Sequence, residues 1–491
     1  MKSGAVFLSA LLAWISLPAT ATSASTKPNI VILYADDLGY GDFKLNNPAS
    51  KIPMPNLERL AEQGMNFTDA HSSSGICSPS RYALLTGRAH WRDFHGIVGA
   101  FGKPPFKPGQ LTLPALLREK GYATACIGKW HLGWNWDAIR KAKGSGPDDF
   151  DWTQPIPGGP LDHGFDYYFG DEVINFPPYG WIENNKVVQA PDTMMDEKTW
   201  KTIKEGRWEC RPGPMVTGWN PYDNLPTITR KSVEYVLSRK GKEQPFFLYV
   251  PFPSPHAPII PNDAFDGKSG AGPYGDFVHE TDDACGRILK ALDEIGQTEN
   301  TLVLFTADNG PENYCLERRE KFGHWSSAPL RGQKRHIHEG GHRVPTVLRW
   351  PGVIKPGSTS SSLFAQTDLM ATLASLVGYA LPKNAAEDSF DFLPYLRGET
   401  ARGPRTAMVH NTNANAYAIR EGDWVLVHVR PSGAKARQEG GGRTERIELH
   451  NLREDISQTR NLAAQHPERV QALQALLDKL YAQGHSAPRL P

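Results

Sequence analysis

Asn29-Ile30-Val31-Ile32-Leu33-Tyr34 shows no polar alternation and runs directly into Ala35-Asp36-Asp37. A strand with one wet face would alternate, so this run reads as buried on both faces, the condition of a parallel sheet covered by helices. Thr301-Leu302-Val303-Leu304-Phe305-Thr306 repeats the pattern and ends at Ala307-Asp308-Asn309. Shorter runs at 123–127 and 246–250 end at Gly128-Lys129-Trp130-His131 and at Pro251-Phe252-Pro253-Ser254-Pro255-His256. Helical patterns at 55–63, 82–85, 113–120 and 275–295 separate them. The expected fold is α/β: a large mixed, mostly parallel sheet sandwiched by helices. In such sheets ligands sit beyond the carboxyl ends of the strands, and each of these polar clusters falls at such an end.

Working outward, the texture changes after about residue 385 to short strands such as Trp424-Val425-Leu426-Val427-His428, a Gly-rich loop at 440–442 and a helix over 467–482. This predicts a smaller C-terminal antiparallel sheet plus helix spanning 385–491, after a catalytic domain over 22–384. A chain of 491 residues is too long for one compact core, which agrees with that division. Upstream, Lys2, an apolar stretch over 6–17 and Ala19-Thr20-Ala21 read as a signal peptide over 1–21, placing the mature protein outside the cell or in the periplasm. A dozen apolar residues do not span a bilayer, which takes about 20, and no later segment is apolar enough to serve as a membrane span.

Lysine and arginine (54) nearly balance aspartate and glutamate (53). No global basic field exists to gather nucleic acid, so an anionic substrate must be held by local charge. Asp36-Asp37 and Asp308-Asn309 supply four hard oxygen-bearing side chains, which suit calcium or magnesium better than zinc or copper. Arg81, Lys129, His131, His256 and Lys334 lie at strand ends or adjacent loops. Together they describe a pocket for a tetrahedral oxyanion ester: cations stabilise charge building on the transferred group, and a histidine protonates the leaving oxygen. Five cysteines in an exported chain leave one unpaired or chemically assigned. Cys77 stands out among them for the residues on its C-terminal side.

Cys77-Ser78-Pro79-Ser80-Arg81-Tyr82-Ala83-Leu84-Leu85-Thr86-Gly87-Arg88 resembles the signature of the type I, formylglycine-dependent sulfatases, arylsulfatase-like members of the alkaline phosphatase superfamily. There the Cys-x-Pro-Ser-Arg motif directs oxidation of the cysteine to formylglycine (3-oxoalanine) by a maturation enzyme. The resemblance extends over residues 29–41, over Gly128-Lys129-Trp130-His131-Leu132-Gly133, Pro255-His256-Ala257-Pro258 and Ala307-Asp308-Asn309-Gly310, and over 330–334 with 339–345. It implies one calcium ion held by Asp36, Asp37, Asp308, Asn309 and the modified Cys77. It also implies a hydrated formylglycine that attacks sulfur while His256 protonates the alcohol, with a second hydroxyl that expels sulfate after losing a proton to His131. Arg81, Lys129 and Lys334 would neutralise the sulfate oxygens. A serine could be sulfated but would lack the second hydroxyl.

Two other readings stay open on sequence. One is a phosphomonoester or phosphonate monoester hydrolase of the same superfamily; the other is a non-catalytic glycan-binding protein with unmodified Cys77. Secretion and the aromatic stretch at 175–181 favour a sulfated polysaccharide or glycosaminoglycan fragment as substrate. Arg335-His336-Ile337-His338 departs from the small and hydroxyl residues usual beside the lysine, so His336 and His338, with His324 and Trp325, are expected to recognise the alcohol portion.

Overall fold

The computed structural model describes residues 1, 27–413, 415–431 and 444–488; the expected signal peptide and the Gly-rich loop at 440–442 lie outside the described residues. A ten-stranded sheet forms the body of the molecule. Its order from edge to edge is Ser358–Ser360, Met65–Phe67, Val347–Arg349, Thr301–Ala307, Asn29–Ala35, Phe246–Pro251, Ala123–Ile127, Tyr167–Gly170, Ile182–Glu183 and Lys186–Val187. The five strands from Thr301–Ala307 to Tyr167–Gly170 are mutually parallel, while Val347–Arg349 and Ile182–Glu183 pair antiparallel on either side. The sheet is therefore mixed and mostly parallel at its centre, as the apolar runs predict.

All seven residues of Asn29–Ala35 are buried, and the pleat divides them between two cores. Ile30, Ile32 and Tyr34 face a layer that includes the helices Cys77–Thr86, Leu113–Glu119 and Asp368–Leu376. Val31, Leu33 and Ala35 face the helices Pro55–Glu62, Asn224–Ser238 and Gly272–Glu294. One strand thus serves two hydrophobic layers, which is why its sequence cannot alternate.

The helix expected over 82–85 begins earlier, at Cys77, and runs to Thr86. Pro79 is its third residue, where the missing N–H is one of the orphan donors of a helix N-terminus and breaks nothing. Gly87, at φ 64°, closes the helix in the left-handed conformation with its N–H on Ala83 O. Arg88 then pairs with Asp93 and Glu387 at 2.7 Å each.

Four antiparallel strands, Ala407–Asn413, Ala416–Glu421, Trp424–Val429 and Arg446–Asn451, form the separate C-terminal sheet. One face packs Val409, Ile419, Leu426 and Leu449 against Leu473, Leu477 and Leu480 of the Pro467–Ala482 helix, and against Trp91. The other packs Val425, Val427 and Val429 against Ile337, three residues beyond Lys334. The small sheet therefore props the lysine loop from below. Phe392, Leu393 and Leu396 still pack in the core of the large sheet, so the change of packing partner falls between Leu396 and Ala407.

His90 links the loop after the Ala70–His71 strand to the C-terminal sheet. One ring nitrogen meets Ser73 Oγ at 2.9 Å and the other Asn411 Oδ1 at 3.1 Å, and burial pushes its pKa down to about 3. In the unfolded chain the imidazole titrates near 6.5. Below that value the unfolded state binds the proton and the folded state does not, so stability present at pH 7 is lost as the pH falls toward 3. Between pH 7 and pH 5 this one group is expected to remove about 2 kcal/mol. Urea midpoints of the wild type and His90→Gln at the two pH values check it: the variant should lose that much of the pH dependence, and an unchanged slope would refute it.

Candidate active site

The four central strands Thr301–Ala307, Asn29–Ala35, Phe246–Pro251 and Ala123–Ile127 lie side by side, and their carboxyl ends deliver the polar clusters to one edge. Asp308-Asn309, Asp36-Asp37, His256 and Lys129 with His131 come together there because the strands are parallel and in register. Gly128 makes the closest approach: at φ 135°, a Cβ on it would stand 2.1 Å from Pro251 O. Only glycine lets the chain pass its neighbour at this point and present Lys129. Asp37 and His131 also hold left-handed backbones, at φ 64° and 53°, conformations that a site must hold in place against a cost of order 1 kcal/mol.

Arg81, rising from the first turns of the Cys77–Thr86 helix, is fully buried. Its Nη2 and Nε lie 2.8 and 3.1 Å from Asp308 Oδ2, its Nη1 donates to Lys129 O at 3.2 Å, and its guanidinium covers the ring of Tyr34. Lys129 Nζ donates to Asp36 Oδ2. Lys334 Nζ donates to Asp37 Oδ2 at 2.7 Å and lies 3.5 Å from Glu312. Asn309 Nδ2 donates to Asp37 Oδ1 at 2.7 Å, and Asp37 N–H to Asp308 Oδ1 at 3.1 Å. Cys77 shares a cluster with Asp36 and Asp308, and His256 one with Asp36 and Asp37; in each the nearest ligand atoms lie within 4.8 Å of one another. The Cys77 Sγ is buried among these groups. It sits at the amino end of a ten-residue helix, whose dipole favours negative charge.

Burial and the crowding of like charges divide these acids. Burial, then Asp36, pushes Asp308 up to about 7. Asp36 is held below the usual carboxylate range because Lys129, His256 and Arg81 outweigh its burial. Burial raises the Cys77 thiol in spite of Lys129 and Lys334. Asp36 Oδ1 and Asn309 Oδ1 are buried without a hydrogen-bond partner among the described residues. Unpartnered hard oxygens beside four linked side chains fit a divalent cation such as calcium.

The two histidines expose opposite nitrogens. His131 Nε2 donates to Val98 O at 3.1 Å, so its buried, unpartnered Nδ1 carries the lone pair. His256 Nδ1 donates to Ala257 O, so Nε2, 3.7 Å from Asp37 Oδ2, is the nitrogen that can give or take a proton at the site. Burial lowers the pKa of both, with Lys129 adding to it at His131 and Lys334 at His256.

The four residues expected to recognise substrate separate. Trp325, His336 and His338 line one cleft of about 370 Å³ together with Gln333, Arg331 and Arg446. His336 is exposed and Trp325 half-buried, whereas His338 is buried with Nε2 on Glu448 Oε2 at 3.0 Å. His324 lies elsewhere: it is 1% exposed, donates from Nε2 to Asp42 Oδ1 at 2.7 Å and accepts from Lys51 N at 3.4 Å. Both its nitrogens are spent on the fold, so it departs from the expectation that it faces a ligand. Neighbours that the sequence did not single out include Glu312, which pairs with Arg335 at 2.6 Å as well as with Lys334, and Arg211, whose guanidinium lies over the ring of Phe176 at 3.8 Å. Phe176, from the aromatic stretch at 175–181, is edge-on to His131 at 5.3 Å.

Comparison with known proteins places this geometry. The family model described as Sulfatase matches residues 28–379. An N-acetylgalactosamine-6-O-sulfatase of Bacteroides thetaiotaomicron is 34% identical over 93% of this chain and 93% of its own. The human N-acetylgalactosamine-6-sulfatase is 34% identical over 77% of this chain and 67% of its own. Among solved structures, a Bacteroides thetaiotaomicron protein from work on the metabolism of multiple glycosaminoglycans superposes with a TM-score of 0.80 at 32% identity, covering 93% of this chain and all of that one.

Proposed function

Because the chain belongs to the sulfatase family and hydrolyses sulfate esters, we propose that it does so with calcium and a formylglycine at Cys77, on sulfated carbohydrate. The observation that carries this reading is the convergence of Cys77, three buried cations and four hard-oxygen side chains at one sheet edge. Asp36, Asp37, Asp308 and Asn309 would hold the calcium, which would supply positive charge to the transferred group and to position 77. A formylglycine at position 77 would supply, as its hydrate, a nucleophilic hydroxyl and a second ionisable hydroxyl.

The chain's own side chains do the rest. Arg81, Lys129 and Lys334 bind sulfate oxygens and are held before substrate arrives by Asp308, Asp36 and Asp37. Removing one such preorganised donor typically costs about 3–4 kcal/mol at the transition state. His256 faces the site with Nε2, where it takes up a proton once the anionic ester offsets the charge of Lys334, and passes that proton to the departing alcohol. His131, through Nδ1, takes one from position 77. Burial keeps His131 neutral near pH 7, the state a base requires.

The relatives named for N-acetylgalactosamine 6-sulfate support a 6-O-sulfated N-acetylgalactosamine unit of a glycosaminoglycan fragment as substrate. The expected signal peptide supports a secreted or periplasmic protein, and none of the described helices is long and apolar enough to cross a membrane. Turnover of 6-sulfated against 4-sulfated N-acetylgalactosamine tests the substrate. An aryl phosphate turned over as well as the matching aryl sulfate would instead favour the phosphomonoesterase reading.

The cleft lined by Trp325, His336 and His338 makes a further expectation. Trp325→Ala and His336→Ala should raise KM for a sulfated saccharide by about tenfold, or roughly 1.4 kcal/mol, and leave a small aryl sulfate unchanged. His338→Ala should disturb both, because His338 holds Glu448 and with it the lysine loop. Equal losses on both substrates for Trp325→Ala would show that the cleft serves the sulfate site itself.

A further inference from the structure

A second cluster of metal-ligating side chains lies apart from the active site, where the large sheet's loops meet the C-terminal sheet. His71 comes from the Ala70–His71 strand, Glu339 and His342 from the turn of helix Glu339–His342, and His410 from the Ala407–Asn413 strand. All four are at most 1% exposed, and one ligand atom from each lies within 4.8 Å of the others.

Hydrogen-bond partners fix the protons. His71 Nε2 meets Asp69 Oδ1 at 2.9 Å, and His342 Nε2 meets Ile337 O at 3.1 Å. Asp69 and Ile337 can only accept, and Asp69 lies nearer to His71 Nε2 than the Arg420 Nη1 donor at 3.4 Å, so both Nε2 atoms carry hydrogen. With hydrogen on Nε2, each ring turns Nδ1 outward, and the two Nδ1 atoms face each other at 3.1 Å. Two lone pairs at that distance in a buried site repel unless something positive stands between them. Two imidazole nitrogens on one tetrahedral zinc, each 2.0–2.1 Å from the ion, lie about 3.3 Å apart. The outer contacts also match what such ligands need, since a metal-bound imidazole donates its other N–H to a carboxylate or a backbone carbonyl.

Two further groups are short of partners. Both nitrogens of His410 and Oε1 of Glu339 are buried with no hydrogen bond among the described residues. Burial pushes His342 down to about 3 and His410 well below its usual value, so both rings are unprotonated near pH 7 and need release no proton to bind a metal. Two features oppose an ion. Arg343 and Arg420 already neutralise Glu339 and Asp69, and the His410 ring lies flat on His342 at 3.6 Å, so it must turn before it can ligate.

We propose that His71, His342, His410 and Glu339 form a structural site for a zinc-class divalent ion, separate from the calcium site and tying the C-terminal sheet to the catalytic domain. Nitrogen donors select such an ion over calcium, just as the all-oxygen set of the active site selects calcium over zinc. The competing occupant of the gap is a single shared proton.

The full-length chain, calcium-loaded and freed of any histidine tag, would be incubated with zinc chloride, gel-filtered into metal-free buffer and analysed by mass spectrometry for metals. The expected result is about one zinc per chain retained beside calcium, with Tm raised by at least about 3 °C. Cobalt(II) in place of zinc should give the visible absorption of a four-coordinate site. The His71→Ala/His342→Ala double variant should keep calcium and lose zinc. Wild type that retains no zinc and shows no Tm shift overturns the site in favour of the shared proton, whether or not the double variant folds. Equal zinc retention by a folded double variant also overturns it.

Discussion

Cys77→Ala is expected to abolish sulfate release, by at least about 10⁴-fold in kcat, while leaving the protein folded. Cys77 is 2% exposed and opens the Cys77–Thr86 helix, a position where alanine keeps the backbone and removes one sulfur atom. The stability loss should stay near 1 kcal/mol. The encoded thiol is itself a poor candidate for the nucleophile, because burial raises its pKa and the thiolate is the reactive form. Oxidation of the residue is therefore part of the expectation: a Cys77 peptide from active enzyme should be lighter than the encoded one by mass spectrometry. Cys77→Ser should differ from alanine, being sulfated once and then stalled for want of a second hydroxyl. Alanine enzyme with substantial turnover and an unchanged circular dichroism spectrum would end the formylglycine assignment.

How much of this was legible in the sequence depends on the range over which each contact acts. The central strands were legible because burial on both faces removes polar alternation from Asn29–Ala35 and Thr301–Ala307, a local consequence of a global position. The polar clusters were legible for the same reason, since they follow those strands directly. The start of the helix at Cys77 was not, because Pro79 reads as a break unless the first turn is known to lie there. His324 was misplaced because its partners, Asp42 and Lys51, are 282 and 273 residues away. Nothing in Gly323-His324-Trp325 distinguishes a ring turned inward from one offered to substrate. His338 is the intermediate case: it lines the cleft with His336, but Glu448, on a strand of the other sheet, holds it. The proximity of His71, His342 and His410 was invisible for a related reason, as three isolated histidines carry no spacing signal.

Removing calcium is expected to cost about 10³-fold in turnover, the size of several kcal/mol of transition-state stabilisation, and calcium should restore it where zinc does not. The structure supplies the reason in its charges. Asp36, Asp37 and Asp308 are each bound to one of the cations Lys129, Lys334 and Arg81 proposed to bind sulfate. A divalent ion held by these acids and Asn309, where Asp36 Oδ1 and Asn309 Oδ1 have no partner of their own among the described residues, would satisfy the acids and free the cations' remaining donors for substrate. Without it the acids hold the cations more tightly, and an anionic ester meets uncompensated carboxylates. The loss should therefore fall on kcat and KM together, whereas a purely structural ion would lower the amount of folded enzyme and leave KM alone. Titrating calcium, magnesium and zinc back into chelated enzyme, with kcat and KM followed separately, decides it. Preferential rescue by zinc would contradict the hard-oxygen assignment, and a rescue that changed only the folded fraction would move the ion out of the chemistry.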